Sequence, residues 1–97
     1  MAKIILSPLA IQDLKDIHDY ISIDSPYYAG IVIERLLSQL SRLEDFPLKG
    51  RIVLELENPL IREIFEYSYR IIYRIEHAEL IAIARFFHQS RILKSIS

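Results

Sequence analysis

Ninety-seven residues at a net charge of −1, 52% of them hydrophobic, predict a single domain over 1–97 that can bury its own core, and they exclude disorder. The absence of cysteine excludes a disulfide framework and any thiolate-ligated zinc or iron–sulfur centre. Ile4-Ile5-Leu6 stops at Ser7-Pro8, too short for a secretory core, and Leu80 to Ala84 is too short to cross a bilayer, so a soluble, cytoplasmic chain without membrane contacts is expected.

Lys3 to Leu6 is a short apolar strand. Ser7-Pro8 then reads as a helix start, with the serine capping an orphan N–H and proline at the first helical position. Ala10, Leu14, Ile17 and Ile21 follow at helical spacing, and Asp13 and Asp16 lie early in the helix, where its dipole favours anions. Ser25-Pro26 restarts the pattern. Ala29, Ile33, Leu36, Leu40 and Leu43, widened by Val32 and Leu37, carry a second helix to about Phe46, because the residue before Pro47 resists helical geometry. The two form a helical hairpin.

After Gly50 the period changes to two. Arg51, Val53 and Glu55 share one face of a strand, and Ile52, Leu54 and Leu56 the other; Asn58-Pro59 ends it. Ile61 to Tyr67 and Tyr69 to Ile75 are further strands, the latter with Tyr69, Ile71, Tyr73 and Ile75 on one side and Arg70, Ile72 and Arg74 on the other. Glu79 to Phe87, nearly all apolar, is a central strand. The remainder, from His88, reads as a loop or short extension. The order β-α-α-β-β-β-β predicts an α+β fold, with the N-terminal hairpin on one face of a twisted antiparallel sheet. The opposite face is expected to be open, with arginines of separate strands gathered on it.

Charge divides along the chain. Residues 1–48 hold four basic and seven acidic side chains, a balance of −3; residues 49–97 hold eight and six, a balance of +2. An anion-facing surface therefore belongs to the second half. Arg51, Arg62, Arg70, Arg74, Arg85 and Arg91 stand there, with Lys49 and His88 nearby, interleaved with Tyr67, Tyr69 and Tyr73. Two readings compete. Guanidinium groups suit phosphate or carboxylate and tyrosines stack on bases or pack a partner's apolar face; alternatively, the arginines pair across strands with Glu55, Glu63, Glu66, Glu76 and Glu79. Histidine exchanges protons near neutral pH, so His88 between Arg85 and Arg91 is either a general acid–base or a strand-end residue with a backbone or solvent partner. His18 and His77 read as structural or solvated. No histidine has metal-ligand spacing, so no metal site and no cofactor are expected. Gly30 and Gly50 are the only glycines, too few for a phosphate-cradling loop, and there is no G-x-S-x-G. Asp13, Asp16 and Asp19 read as a solvated face.

Four motifs in order carry a resemblance. Phe46-Pro47-Leu48-Lys49-Gly50-Arg51 looks like the P-x-x-G-R that follows helix 2 in RelE/ParE toxins of type II toxin–antitoxin systems. Ile61-Arg62-Glu63-Ile64 resembles their I-R-E-I strand, Tyr69 to Ile75 their Y-R-I-x-Y-x-I strand, and Phe87-His88-Gln89-Ser90-Arg91 their closing H-x-x-R. The helix-1 positions Ala10, Asp13, Leu14, Ile17, Tyr20 and Ile21 also match, so the likeness runs from Ile4 to about Arg91. It implies a growth-inhibiting toxin of a plasmid-stabilisation or stress system, held by a cognate antitoxin. RelE-like members are ribosome-dependent mRNA endonucleases; ParE-like members poison DNA gyrase. A nuclease would draw on Arg62, Arg70, His88 and Arg91, and a binding inhibitor on Arg51, Arg70, Arg74, Arg85 and Arg91. The lysine pair of the RelE strand is absent, no tyrosine follows the last strand, and His88 is followed by Gln89 rather than tyrosine. With near-neutral charge, which suits a ribosomal nuclease poorly, these departures favour the ParE-like branch; the alternatives are a RelE-like endonuclease and a degenerate, non-toxic binding protein.

Overall fold

The computed structural model describes residues 2–90. Their order is β1 (Lys3–Leu6), α1 (Pro8–Ser22), α2 (Pro26–Asp45), β2 (Arg51–Ile52), β3 (Ile61–Glu66), β4 (Tyr69–His77) and β5 (Leu80–His88). The fold is α+β, as the change of period predicts. Both Ser-Pro pairs open helices: Ser7 Oγ accepts from the Ala10 N–H at 3.0 Å and Ser25 Oγ from the Tyr28 N–H at 3.1 Å. Each satisfies a backbone donor the helix leaves orphaned. The α2 helix stops at Asp45, two residues short of Pro47.

The sheet order is β1-β5-β4-β3-β2. β1 runs parallel to β5, with Lys3 opposite Leu80 and Leu6 opposite Ile83; the other three pairings are antiparallel. Ala10, Ile17, Val32, Leu36, Leu40 and Leu43 of the hairpin bury against Ile64, Ile71, Tyr73, Ile81, Ile83 and Phe86 of the sheet. Full burial of one such leucine contributes about 1.5–3 kcal/mol. Leu37, expected in the stripe, is exposed.

The far face is not bare. β2 ends after two residues, and the chain then turns so that Val53, completely buried, packs with Ile61, Ile72, Ala84 and Phe87, flanked by Leu56. The Val53 N–H reaches the Ile61 carbonyl at 3.1 Å and the Leu56 N–H turns back to the Val53 carbonyl at 3.2 Å. The strand expected to continue to Leu56 is thus a folded loop. Its alternation also inverts in burial: Ile52 and Leu54 are exposed while Val53 is inside.

Candidate functional site

Strand pleat decides where each candidate cation points. Ile64 and Tyr73 face the helices while Ile61 and Ile72 face the 53–58 loop. Arg62, opposite Tyr73 in the register, therefore lies on the helix side, next to the short edge strand β2. Its Nη1 donates to the Gly50 carbonyl at 3.0 Å, and its Nε is buried with no hydrogen-bond partner among the described residues. Beside it, the Tyr73 hydroxyl accepts from the Gly50 N–H at 2.9 Å and donates to the Pro47 carbonyl at 2.7 Å. Burial raises the Tyr73 pKa, with the Gly50 N–H and Arg62 pulling the other way. Tyr73 is a buried tie for the 47–50 turn and cannot serve as the stacking platform the alternation suggested.

Arg51, Arg70 and Glu63 meet on the loop-covered face. Arg70 Nη2 stands 2.6 Å from Glu63 Oε1 and its Nη1 3.0 Å from Glu55 Oε2; Arg51 Nε stands 2.9 Å from Glu63 Oε2. The Glu63 and Arg70 side chains are only 1% and 6% exposed. Burial alone would lower the Arg70 pKa, but hydrogen bonds to Glu55 and Glu63 more than offset it and hold the value above that of an ordinary guanidinium. Rings complete the cluster: the Arg51 guanidinium lies 4.8 Å from the centroid of Phe65 and that of Arg70 5.3 Å from Phe87. The cross-strand reading of the arginines describes this pair of cations, with Glu55 and Glu63 as the partners. Glu66 instead accepts from Gln39 of α2 at 2.6 Å.

Arg85 leaves that group. Beyond Ile83, β5 has no β1 residue beside it, and Asp13 of α1 fills the gap. Its carboxylate takes Arg85 Nε at 2.7 Å, Arg85 Nη2 at 3.0 Å and the Phe86 N–H at 3.0 Å. The hydrogen bond to Asp13 raises the Arg85 pKa against the opposing effect of burial. Asp13 thus acts as a plug for the sheet edge rather than as a dipole partner, and α1 has no acidic residue in its first turn. Arg74 shares the face of Ile72 and makes no ion pair to a described residue.

His88 stands opposite Tyr69, on the helix side, with ring centroids 5.7 Å apart in an edge-on arrangement. Its Nδ1 lies 2.7 Å from Ser90 Oγ. Among the candidates for a nuclease, the sheet separates Arg70 from His88 and Arg62, and Arg62 is two strands removed from His88. Arg91 lies outside the described residues. Among the candidates for target binding, the structure brings Arg51 and Arg70 together, sets Arg74 further along the same face, and turns Arg85 toward α1. The described residues contain no cluster able to hold a metal ion, and no helix among them is long and apolar enough to cross a membrane.

Sequence reasoning passed over Asp13 as a solvated carboxylate because its partners lie 72 and 73 residues away. It named Tyr20 only as a matching position of helix 1 and passed over Tyr28, although both are large aromatics standing off the apolar stripes of their helices.

Residues 4–93 match a family model described as the ParE toxin of the type II toxin–antitoxin system, parDE. The chain belongs to this family. Among solved structures, this ParE-family toxin is similar to a chain of the chromosomal ParDE toxin–antitoxin system of P. aeruginosa, with a TM-score of 0.73 and 21% identity over 91% of this chain and 96% of that one. It is also similar to a chain of the RelBE2 toxin–antitoxin complex of Mycobacterium tuberculosis, with a TM-score of 0.59 and 21% identity over 91% and 98%. At these identities the likeness is one of fold. No curated protein matches the sequence.

Proposed function

We propose that this toxin acts by binding, without a catalytic site of its own, that its target is DNA gyrase, and that a cognate antitoxin neutralises it. One observation carries the reading: among the described residues, the side chains a nuclease would need are spent or separated. Arg70 is closed in by Glu55 and Glu63, and the sheet lies between it and His88. Cleavage of RNA by 2′-hydroxyl attack requires cations beside the scissile phosphate and an acid–base pair within reach of the same atoms. A carboxylate on each side of Arg70 opposes a phosphate there. An antitoxin partner is supported by the family, and by the two similar folds both belonging to toxin–antitoxin systems.

The test is expression without antitoxin, followed by two assays on the purified protein. Growth arrest with filamentation and inhibited supercoiling by purified gyrase is the expected outcome. Ribosome-dependent mRNA cleavage that disappears in Arg70→Ala or His88→Ala would overturn the reading in favour of a nuclease. Unimpaired growth would leave a non-toxic binding protein.

A further inference from the structure

The interaction chemistry left unspent gathers at the tip of the helical hairpin. The Tyr28 and Tyr67 rings meet edge-on at 6.4 Å, and Tyr69 has its pKa raised by burial first and then by the nearness of Tyr20 and Tyr28. Tyr20, Tyr28 and Tyr67 are 74%, 47% and 44% exposed. Four of the six tyrosines of the chain thus come together from α1, α2, the β3–β4 turn and the start of β4.

Between Tyr20, Tyr69 and His88 runs a groove of about 420 Å³, floored by Ile17, Phe86 and Phe87 and bordered by Asp13 and Asp16. Among the described residues, no lysine or arginine lines it. Asp13 is already matched by Arg85. Among the described residues Asp16 has only an uncharged donor, Gln12 Nε2 at 2.8 Å, and no cation to match its charge. Tyr67 does not line the groove but joins the tyrosine group beside it through Tyr28. It sits at φ 56°, a left-handed conformation that a bulky side chain rarely adopts, and such strain tends to persist where a site needs it. Glycine or asparagine would make the same turn more easily, yet this position holds an exposed ring.

We propose that this groove receives an arginine-bearing segment of a partner protein, with the guanidinium over the tyrosine rings and against Asp16, and its apolar neighbours on Ile17 and Phe86. The planar cation suits both parts of the site, since it stacks on aromatic faces and pairs with carboxylates. Tyrosine is also the residue type that protein interfaces concentrate. A nucleic acid would set phosphates against Asp16, and a purely apolar helix would cover that carboxylate and the phenol hydroxyls without matching them. The proposal is independent of the gyrase reading, because it concerns the hairpin tip and holds for any target.

The probes are acetyl-Leu-Arg-Leu-amide and its citrulline counterpart, which keeps the shape and loses the charge, titrated into the ¹⁵N-labelled full chain. The arginine peptide should shift the amides of Asp16, Tyr20, Tyr69 and His88 and bind at least about fivefold more tightly than the citrulline peptide. Asp16→Asn should reduce it to the citrulline level, and Tyr20→Ser should weaken it about tenfold, a loss typical of an interface tyrosine. Both positions are exposed, so the variants should keep the wild-type circular dichroism. Equal affinity for the two peptides, no shift at about 10 mM peptide, or shifts confined to the Arg51–Arg70 face would overturn the proposal. So would a groove that responds to a single-stranded oligonucleotide, or only to the concentration of the protein itself.

Discussion

A methyl group at Gly50 would stand 2.6 Å from the Glu63 carbonyl oxygen and 2.7 Å from the Tyr73 hydroxyl. The glycine is needed for close approach, since it has no positive φ. Gly50→Ala should therefore cost about 1–3 kcal/mol, the range for overpacking a tight site, read as a lower urea midpoint with an unchanged slope. Glu63 presents the opposite problem, a charge whose removal strands others. Glu63→Ala removes from buried Arg70 one of its carboxylates and from Arg51 the carboxylate it pairs with, and should destabilise by about 3 kcal/mol, the low end for breaking a buried pair. Tyr73 gives a pH limit. Its pKa is raised above the ordinary 10.0, so above that value the folded state holds on to a proton that the unfolded state releases. The contribution to stability is complete below pH 10 and is lost as pH climbs through the raised value. Denaturation midpoints followed from pH 8 to 11.5 should fall on the alkaline side, and Tyr73→Phe should flatten that fall while lowering the plateau.

At the scale of elements, helices were the legible part. Their caps, stripes and stops lie within a few residues of one another, so Ser7-Pro8, Ser25-Pro26 and Pro47 announce them locally. Strand existence was legible for the same reason, through period two. What escaped was relation across distance. The sequence around residue 53 alternates as a strand does, but Val53 finds a more favourable place against Ile61, Ile72 and Phe87, and only their arrangement makes the turn worthwhile. Which arginines share a face depends on register between strands, and a shift of one residue sends a side chain to the other side; hence Arg62 and Arg70 parted company. Asp13 stood on a helix flank with no hint of the strand edge it closes. That role is open to measurement: Asp13→Ala should accelerate hydrogen exchange at the Phe86 amide well beyond the change at Ile71, because only the first loses its acceptor. Asp13→Asn, which keeps an acceptor oxygen, should give a smaller increase.

For the molecule as a whole, the division of charge seen in the sequence becomes a division of labour. Three arginines of the basic half are matched by carboxylates, Arg51 and Arg70 by Glu55 and Glu63 of the same half and Arg85 by Asp13 of the acidic one. In the acidic half, Asp16 has no cation among the described residues beside its tyrosines. With three arginines so occupied and a net charge of −1, the protein has little cation excess to offer a phosphate backbone. Its affinity for a 20-nucleotide single-stranded RNA should be weaker than about 10⁻⁴ M at physiological salt, the lower limit for non-specific binders, with a shallow salt dependence in fluorescence anisotropy. A steep slope would mean that cations described here as paired open outward on binding.

The parallel pairing of β1 with β5 has a consequence in time. Ser7 and Ala84, joined through the serine hydroxyl, are 77 residues apart. At a synthesis rate of about 5–20 residues per second, the first strand waits roughly 4–15 s for the neighbour it needs. During that interval the apolar stripes of the hairpin have no sheet to cover them. A nascent toxin is thus exposed to chaperones, and to capture by whatever else recognises those stripes, before it has acquired the shape that could do harm.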